Sequence, residues 1–367
     1  MRILIALKDL KIGGIEKAGI ELINYFTEKG YKVTLVLEQK KGELLKELNT
    51  EIKIKEYKPS NNKIFRKIFN GFKRLNFFIH NKNKYDASIS YATYSKMCSF
   101  VARTASKNSI LWCHADYLEL YKGNTKKVKE FFEKINYQEF AKIVFVAENA
   151  KDTFLTVFPE QKNVYFCNNL INSKKIYELA LKPINLKYNQ GITTFLNVGR
   201  HDEKQKKLSR IIKASFLLKN KGYKFRVIFV GDGQDIKEYK KLVKKYKLEK
   251  NIIFEGKKEN PYPYFRIADC IILSSDYEGY PVVFLESYVL DKPVITTNVS
   301  DYKDISNGRG IVTLKDTQDI YMGMKNFIEN GYKIKNKFNS IKYNAQIQKK
   351  IGEILKNSWN FLDFKLE

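Results

Sequence analysis

The sequence predicts an α/β protein of two doubly wound domains, each with a parallel sheet covered by helices on both faces. Short β-rich runs alternate with helix-like segments, and this alternation restarts after a softer region at 171–191. The 367 residues are enough for two cores of ordinary size. We expect a first domain over 1–175, completed by the C-terminal segment 341–367, and a second domain over 185–340.

The first half begins with a buried strand at Arg2–Leu7, a break at Gly13-Gly14 and a helix over Glu16–Lys29. Glu43–Leu48 has a helical pattern. Further β-rich runs are predicted to be strands: Lys32–Leu37, Glu51–Tyr57, Asp86–Tyr91, Ser109–Cys113, Lys142–Ala147 and Asn163–Cys167. Helical stretches lie between the later runs, so parallel pairing is expected.

In the second half the same alternation gives six more strands and five helices. The predicted strands are Thr193–Val198, Phe225–Val230, Asn251–Glu255, Cys270–Ser274, Pro293–Thr297 and Gly310–Leu314. The predicted helices are Lys206–Lys221, Ile236–Tyr246, Tyr262–Ala268, Pro281–Leu290 and Asp316–Asn330, and a longer helix over Ile341–Phe361 ends the chain. Ligands of such folds bind at the carboxyl ends of the strands, which predicts a cleft between two facing domains.

Composition limits the partners. The formal net charge is +27, and 58 of the 67 basic residues are lysine. This charge favours phosphorylated substrates, anionic membranes or nucleic acid, although a solvated lysine surface gives the same numbers. No nucleic-acid-binding motif is present, so we expect no nucleic-acid partner. Neither a signal-peptide pattern nor a membrane-spanning run is visible, which predicts a cytoplasmic location.

The cysteines and histidines do not form a metal-binding pattern. No C-x-x-C spacing occurs, and the few histidines are scattered. We expect buried free thiols, no metal site and no cofactor. The residues concerned are Cys98, Cys113, Cys167, Cys270, His80, His114 and His201.

The segment Glu278–Glu286 carries the strongest chemical pattern. Gly279 loosens a turn between a strand and a helix, Pro281 suits the first helical turn, and Tyr280 stands between them. The free backbone N–H groups of Val282 and Val283 then lie at a helix N-terminus, which favours phosphate. Glu278 and Glu286 can face one cleft and accept hydrogen bonds from sugar hydroxyls and a ribose diol. An ordinary loop acid and a surface helix acid are the alternative.

Three further strand ends carry candidate residues. Gly199-Arg200 ends the first strand of the second domain, with Lys204, Lys206 and Lys207 close behind, and these cations can clamp a diphosphate. Gly231 begins a tight turn at the same sheet edge. In the first domain, Gly13, Gly14 and Glu16 join strand to helix in a pattern that is neither G-x-G-x-x-G nor a P-loop, and His114 ends another strand.

Together these motifs resemble the retaining GT-B glycosyltransferases of family four, over most of the chain. The pair Glu278 and Glu286, with seven residues between them, is the specific part. The supporting segments are Gly13-Gly14-Ile15-Glu16, Trp112-Cys113-His114, Asn169-Leu170-Ile171-Asn172, Asn197-Val198-Gly199-Arg200 and Val230-Gly231-Asp232-Gly233. The resemblance implies two Rossmann-like domains, a C-terminal helix that returns to the first domain, and transfer of a sugar from a nucleotide sugar with retention of configuration.

Residue roles follow from the resemblance. Arg200 and a nearby lysine neutralise the leaving diphosphate, Glu278 contacts the donor sugar and Glu286 the ribose. Gly14 lets donor phosphate and acceptor approach, and His114 lies beside the reacting sugar. The family usually has its lysine five residues after the arginine, where this chain has Gln205. Lys206 is therefore chosen, with Lys204 and Lys207 as alternates, and no divalent metal is required.

The expected partners are a nucleotide-sugar donor, with UDP as the favoured nucleotide, and a glycan or lipid-linked acceptor for a bacterial surface polysaccharide. One alternative is a catalytically silent GT-B binding or chaperone subunit. Another is a basic nucleic-acid-binding protein.

The segment Lys63–Lys84 predicts contact with the anionic inner face of the membrane. An apolar helical face is surrounded by cations, and no acidic residue occurs between Glu56 and Asp86. The apolar residues are Ile64, Phe65, Ile68, Phe69, Phe72, Leu75 and Ile79, and the cations are Lys63, Arg66, Lys67, Lys73, Arg74, Lys82 and Lys84. The alternative is that the apolar face packs on the first sheet.

Overall fold

A computed structural model describes residues 1–60, 64–186 and 191–356. The chain divides into two compact units. Unit 1 comprises Met1–Leu170 together with the described residues from Ile341 onward, and unit 2 comprises Ile171–Ser340. Each unit has its own parallel sheet, as the alternation of strands and helices predicts.

Unit 1 is built on a seven-stranded sheet in the order β3-β2-β1-β4-β5-β6-β7, with every neighbouring pair parallel. The predicted β-rich runs of the first half are confirmed as strands. They are β1 (Arg2–Leu7), β2 (Lys32–Leu37), β3 (Lys53–Glu56), β4 (Ala87–Ser90), β5 (Ser109–Cys113), β6 (Lys142–Phe145) and β7 (Val164–Phe166). The central strands are buried on both faces, which explains their continuous apolar runs.

The helices of unit 1 cover this sheet. They are α1 (Gly14–Glu28), α2 (Arg66–Asn81), α3 (Lys96–Ala105), α4 (Tyr117–Leu120), α5 (Thr125–Glu133) and α6 (Glu148–Val157). Ser95 caps α3 by accepting from the Cys98 N–H, and Asp116 caps α4. Two 3₁₀ turns occur at Glu43–Glu47, where a helix was predicted, and at Tyr137–Glu139.

Unit 2 has a six-stranded parallel sheet in the order β10-β9-β8-β11-β12-β13. All six predicted strands of the second half are confirmed. They are β8 (Thr193–Val198), β9 (Phe225–Val230), β10 (Ile252–Gly256), β11 (Cys270–Leu273), β12 (Val294–Thr297) and β13 (Gly310–Thr313). Phe195, Phe229 and Ile272 are fully buried members of its core.

The helices of unit 2 include two that sequence patterns did not predict, α7 and α12. The set is α7 (Ser173–Ala180), α8 (Leu208–Asn220), α9 (Ile236–Lys245), α10 (Tyr262–Ile267), α11 (Val282–Val289), α12 (Lys303–Ser306) and α13 (Thr317–Asn330). Asn172 caps α7 by accepting from the Lys175 N–H. The softer region predicted at 171–191 therefore contains a short helix over Ser173–Ala180.

The last helix described, α14 (Ser340–Leu355), belongs to unit 1 beyond its first residue. The Tyr343 hydroxyl donates to the Asn169 carbonyl oxygen at 2.9 Å. The predicted end of this helix at Phe361 lies outside the described residues.

A buried lysine holds the carboxyl end of α14. Lys142 is 3% exposed, and its ammonium donates to the carbonyl oxygens of Ile354 at 2.6 Å and Lys356 at 2.5 Å. Asn108 donates to the Leu355 carbonyl oxygen at 3.0 Å and accepts from Lys142 at 3.2 Å. Burial lowers the pKa of Lys142. A cation is favourable here because the last carbonyl groups of a helix carry partial negative charge.

We therefore expect Lys142→Met to loosen α14. The substitution removes the lysine donor from the buried Ile354 carbonyl and the part-buried Lys356 carbonyl, which costs about 1–3 kcal/mol in the free energy of local opening. Hydrogen exchange of the α14 amides is the measurement, with exposed Lys129→Met as the control. Equal exchange in the two variants would contradict this assignment.

Candidate active site

The reversal of strand order locates the candidate site of unit 2. The sheet runs outward in one direction from β8 and in the other from β11, and these two strands are neighbours. Ligands of open parallel sheets bind beyond the carboxyl ends of the strands at such a point. The loops concerned are 199–207 after β8 and 274–281 after β11. They carry the predicted diphosphate-binding cations and Glu278.

Backbone and side-chain hydrogen bonds join these two loops. The Asp276 N–H donates to the Gln205 carbonyl oxygen at 2.8 Å. The Ser274 hydroxyl donates to the carbonyl oxygens of Lys206 at 2.8 Å and Lys207 at 3.0 Å. Arg210 forms an ion pair with Asp276 at 2.6 Å. The two loops therefore act as one rigid support for the side chains they carry.

Arg200 is the most exposed of the predicted site residues in these loops. Its side chain is 63% exposed, its Nη2 donates to Gln205 Oε1 at 2.8 Å, and its Nε lies 3.5 Å from an Asp202 carboxylate oxygen. A guanidinium in this position can reach a ligand at the sheet edge.

Lys206, rather than Lys204 or Lys207, brings its ammonium to Glu278. The Lys206 Nζ lies 2.5 Å from Glu278 Oε1. Lys207 has a left-handed backbone (φ +52°) and its ammonium lies 3.8 Å from Asp276. This kink also explains why α8 begins at Leu208 and not at the predicted Lys206. The Lys206 stem lies over Gly199, because a Cβ on that glycine would come 3.7 Å from Lys206 Cε.

Glu278 is almost fully buried and has three side-chain donors. Besides Lys206, the Ser275 hydroxyl donates to Oε1 at 2.6 Å and Gln205 Nε2 lies 3.4 Å from Oε2. Gln205 thus contacts both Arg200 and Glu278. Gln205 occupies the position five residues after Arg200 where the resembled family usually has its lysine, whereas nothing in the sequence points to Ser275.

Gly231 is required by close backbone packing between the loops after β8 and β9. Its φ is +147°, and a Cβ there would come 1.8 Å from the Gly199 carbonyl oxygen. At Gly233 a Cβ would come 2.2 Å from the His201 carbonyl oxygen. His201 is fully buried beside them, and burial lowers its pKa while Asp232 opposes the shift.

Residues that follow β12 hold the loop before α11 in place. Ser300 donates to the Gly279 carbonyl oxygen, and the Tyr280 hydroxyl donates to Asp304 at 3.2 Å. Pro281 occupies the N-cap position with an extended backbone (ψ +118°), so α11 starts at Val282, one residue after the prediction. The first-turn residues Val282 and Val283 are partly exposed. The helix N-terminus therefore remains open to an anion.

Glu286 lies on α11 and is only 2% exposed. The Tyr262 hydroxyl of α10 donates to Glu286 Oε1 at 2.9 Å. Sequence patterns identified Glu286 but not Tyr262. A tyrosine in a short apolar helix gives no signal of such a contact before the helices are assembled.

In unit 1 the carboxylate of Glu16 lies over the first residues of α1. A Cβ on Gly13 would come 2.2 Å from Glu16 Oε2, whereas the Gly13 backbone is extended (φ −161°) and accessible to any residue. Gly14 is the first residue of α1. Glycine at position 13 therefore makes room for the Glu16 carboxylate, which stands where partial positive charge is concentrated.

His114 directly follows β5 and packs against Tyr91, with ring centroids 4.3 Å apart and the ring planes tilted by 57°. Burial lowers the pKa of His114 to about 3, so the imidazole is neutral at physiological pH. Its Nε2 is buried and has no hydrogen-bond partner among the described residues. Tyr91 also contacts α1, since a Cβ on Gly19 would come 3.3 Å from its ring. Tyr91 is thus a supporting residue that sequence patterns missed.

The predicted site residues therefore fall into two groups. Unit 2 contains Gly199, Arg200, Lys206, Gly231, Glu278, Gly279, Tyr280, Pro281, Val282, Val283 and Glu286. Unit 1 contains Gly13, Gly14, Glu16 and His114. All four cysteines are buried free thiols, as predicted. Within the described residues no group of three or more His, Cys, Asp or Glu side chains is placed to hold a metal ion.

Comparisons with known proteins agree with this architecture. Residues 181–348 match the family model described as glycosyl transferases group 1. The chain is 25% identical over 218 residues to an uncharacterized glycosyltransferase of Methanocaldococcus jannaschii, covering 58% of this chain and 53% of that protein. It is 25% identical over 288 residues to the amylovoran biosynthesis glycosyltransferase AmsD of Erwinia amylovora, covering 77% and 76%. The matched region thus spans about half of the first relative.

Solved structures share the whole architecture. HepE of Anabaena, solved with UDP and glucose, superposes with a TM-score of 0.75 at 15% identity, covering 95% of this chain and 99% of that one. WaaG, a glycosyltransferase involved in lipopolysaccharide biosynthesis, superposes with a TM-score of 0.65 at 14% identity, covering 97% and 96%.

Two parallel doubly wound units with these structural neighbours define a GT-B protein, which confirms the predicted fold class. The match of residues 181–348 to the model described as glycosyl transferases group 1 agrees with this fold.

Gly231→Ala is expected to destabilise unit 2. The added Cβ would overlap the Gly199 carbonyl oxygen, and alanine disfavours this backbone conformation, which together cost about 2 kcal/mol or more. Thermal melting and nucleotide binding are the measurements. Gly199→Ala is the control, because a Cβ at that position meets only ordinary contact. A Gly231→Ala protein as stable as this control would contradict the packing argument.

Proposed function

We propose that this chain transfers a hexose or N-acetylhexosamine from a nucleotide-diphosphate sugar, with UDP as the favoured nucleotide, to a growing surface-glycan acceptor. The observation that carries the proposal is the convergence of Arg200, Lys206 and Glu278 at the strand-order reversal of a glycosyl transferases group 1 domain. HepE has been solved with UDP and with UDP-glucose, which supports the choice of donor.

The chemistry assigned to these residues is electrostatic. The bond between the sugar and the diphosphate breaks, the acceptor oxygen bonds to the same carbon with retained configuration, and the acceptor's hydroxyl proton passes to the leaving diphosphate. Arg200, Lys206 and the N-terminus of α11 stabilise the negative charge that grows on the leaving diphosphate. With cations and a helix N-terminus already in place, we propose that no divalent metal is needed.

The other candidate residues bind either the donor or the acceptor. Glu278 accepts hydrogen bonds from the donor sugar, and Glu286, oriented by Tyr262, takes the ribose. Gly13, Gly14, Glu16 and His114 serve the acceptor side. Because His114 is neutral, it contributes a hydrogen bond rather than a positive charge. The AmsD relative acts in amylovoran biosynthesis by name, which supports a bacterial surface polysaccharide as the pathway.

Calorimetry with UDP tests the donor site. Arg200→Met and Lys206→Met should each weaken UDP binding by about 1.5–3 kcal/mol, the usual value of a hydrogen bond to a charged group. Exposed Lys213→Met on α8 serves as the control. Unchanged affinity in both site variants would remove these residues from the site.

Release of UDP from UDP-sugars in the presence of EDTA tests metal independence and distinguishes an enzyme from a silent binding subunit.

We also propose that α2 attaches unit 1 to an anionic membrane surface. The predicted apolar face is exposed, not packed on the sheet: Ile64 is 83%, Phe72 66% and Ile79 63% exposed. Phe77 alone of the apolar residues on α2 is buried, where it contacts Tyr57 and Phe100. So many exposed apolar side chains on one helix indicate that this face contacts another apolar environment.

The cations beside this face match an anionic partner. Lys67, Lys73, Arg74, Lys82 and Lys84 are exposed, while Lys63 lies outside the described residues. Near an anionic leaflet each cation is worth about 1 kcal/mol, so several together support reversible binding. No helix in the described part of the chain is both long and apolar enough to span a bilayer. A lipid-linked acceptor would be reached from such a surface.

Vesicle sedimentation decides this second proposal. We expect binding to anionic vesicles and not to neutral ones. Ile68→Ser and Phe72→Ser should each weaken binding about tenfold, since each loses the burial of a large apolar side chain. Exposed Met322→Ser in unit 2 is the control. No binding at low salt, or self-association that depends on these side chains, would overturn the proposal.

A further inference from the structure

The cations of the proposed donor site are paired with carboxylates of the protein. Lys206 pairs with Glu278, Arg210 pairs with Asp276, and the Arg200 Nε lies 3.5 Å from Asp202. These three cations are therefore engaged with carboxylates of the protein before any ligand arrives. A diphosphate must compete with these carboxylates for its cations.

The Lys206–Glu278 pair is the most enclosed contact between two predicted site residues. The side chain of Glu278 is 8% exposed and that of Lys206 20% exposed. Water screens such a pair less than a surface pair, so the attraction is stronger than the usual fraction of a kcal/mol. Arg200 differs, because its side chain is 63% exposed and water screens its contact with Asp202.

Glu278 also has partners that do not depend on Lys206. Ser275 donates to Oε1 and Gln205 Nε2 lies 3.4 Å from Oε2. If Lys206 turns away, these neutral groups still orient the carboxylate, but its negative charge is no longer balanced. New donors are then needed, and the hydroxyl groups of a sugar are of the right kind.

We infer that Lys206 is shared between two states: Glu278 holds it in the free protein, and the diphosphate takes it when a nucleotide sugar binds. This inference rests on the proposed function. Glu278 is then a residue that distinguishes donor from product. A complete donor supplies sugar hydroxyls to the released carboxylate, whereas a nucleoside diphosphate takes Lys206 and supplies none. Because the Glu278 carboxylate then lacks new donors, the nucleoside diphosphate product binds more weakly than the donor, and its release is favoured.

The inference predicts that removing a charge from the site improves product binding. Glu278→Gln keeps the shape of the side chain but releases Lys206, so UDP should bind about threefold to tenfold tighter by calorimetry. Turnover of the UDP-sugar should fall in the same variant. Ser275→Ala is the matched control, because it removes a neutral partner of Glu278 and leaves the ion pair in place.

A double-variant cycle separates sharing from simple repulsion. In the Lys206→Met background, Glu278→Gln should give no tightening of UDP or of inorganic pyrophosphate. Equal tightening in both backgrounds would mean that Glu278 only repels the anion, and would overturn the inference. Unchanged or weaker UDP binding by Glu278→Gln would overturn it as well.

Two further measurements keep the result interpretable. Thermal melting of each variant checks folding, and Glu278→Ala provides a second route to a released Lys206. If the wild-type protein binds none of UDP, GDP, ADP and pyrophosphate, the proposed function itself fails. If the wild type binds UDP and only the tightening is missing, the sharing of Lys206 fails while the proposed function stands.

Discussion

Parallel pairing of every strand is the constraint on which the rest of this structure depends. In a parallel sheet all strands end at the same edge, so the loops that follow them meet there. The loops after β8, β9 and β11 are consequently neighbours, although Arg200, Gly231 and Glu278 are far apart in sequence. Backbone hydrogen bonds between Asp276 and Gln205 and the close approach of Gly231 to Gly199 then make this edge rigid.

This rigidity has an electrostatic consequence. Rigid loops hold cations and carboxylates at fixed short distances, so the groups suited to a diphosphate are already engaged with the protein. The largely buried contact of Lys206 with Glu278 means that ligand binding exchanges one ion pair for another instead of adding a charge to an empty basic cleft. Net charge of the chain, although strongly positive, is therefore a poor guide to the charge at the site.

Unit 1 shows a different use of charge and apolar surface. The ammonium of buried Lys142 donates hydrogen bonds to carbonyl groups at the carboxyl end of α14. These carbonyl groups replace water as its acceptors. On α2 the apolar side chains remain in solvent while only Phe77 joins the core. Both features contradict the simple expectation that lysine lies outside and phenylalanine inside.

Much of the fold was predictable because strands and helices have different apolar periods. All thirteen strands among the described residues coincide with predicted β-rich runs, and the predicted fold class is confirmed. The short helix α7 was missed because its stabilisation comes from the Asn172 cap and from tertiary contacts with α10 and α11, not from a long periodic pattern.

The sequence by itself determined the order of the strands and of the helices with a clear periodic pattern, but not α7 or α12. It also identified Arg200, Glu278 and Glu286 as candidates, together with His114, since these depend on local spacing. Only the tertiary structure decided which lysine reaches Glu278, because the left-handed backbone of Lys207 and the joined loops direct Lys206 there. It alone also showed that Tyr262 holds Glu286 and that the apolar face of α2 is exposed. Such contacts join residues from different elements, and their geometry exists only after the sheet has assembled.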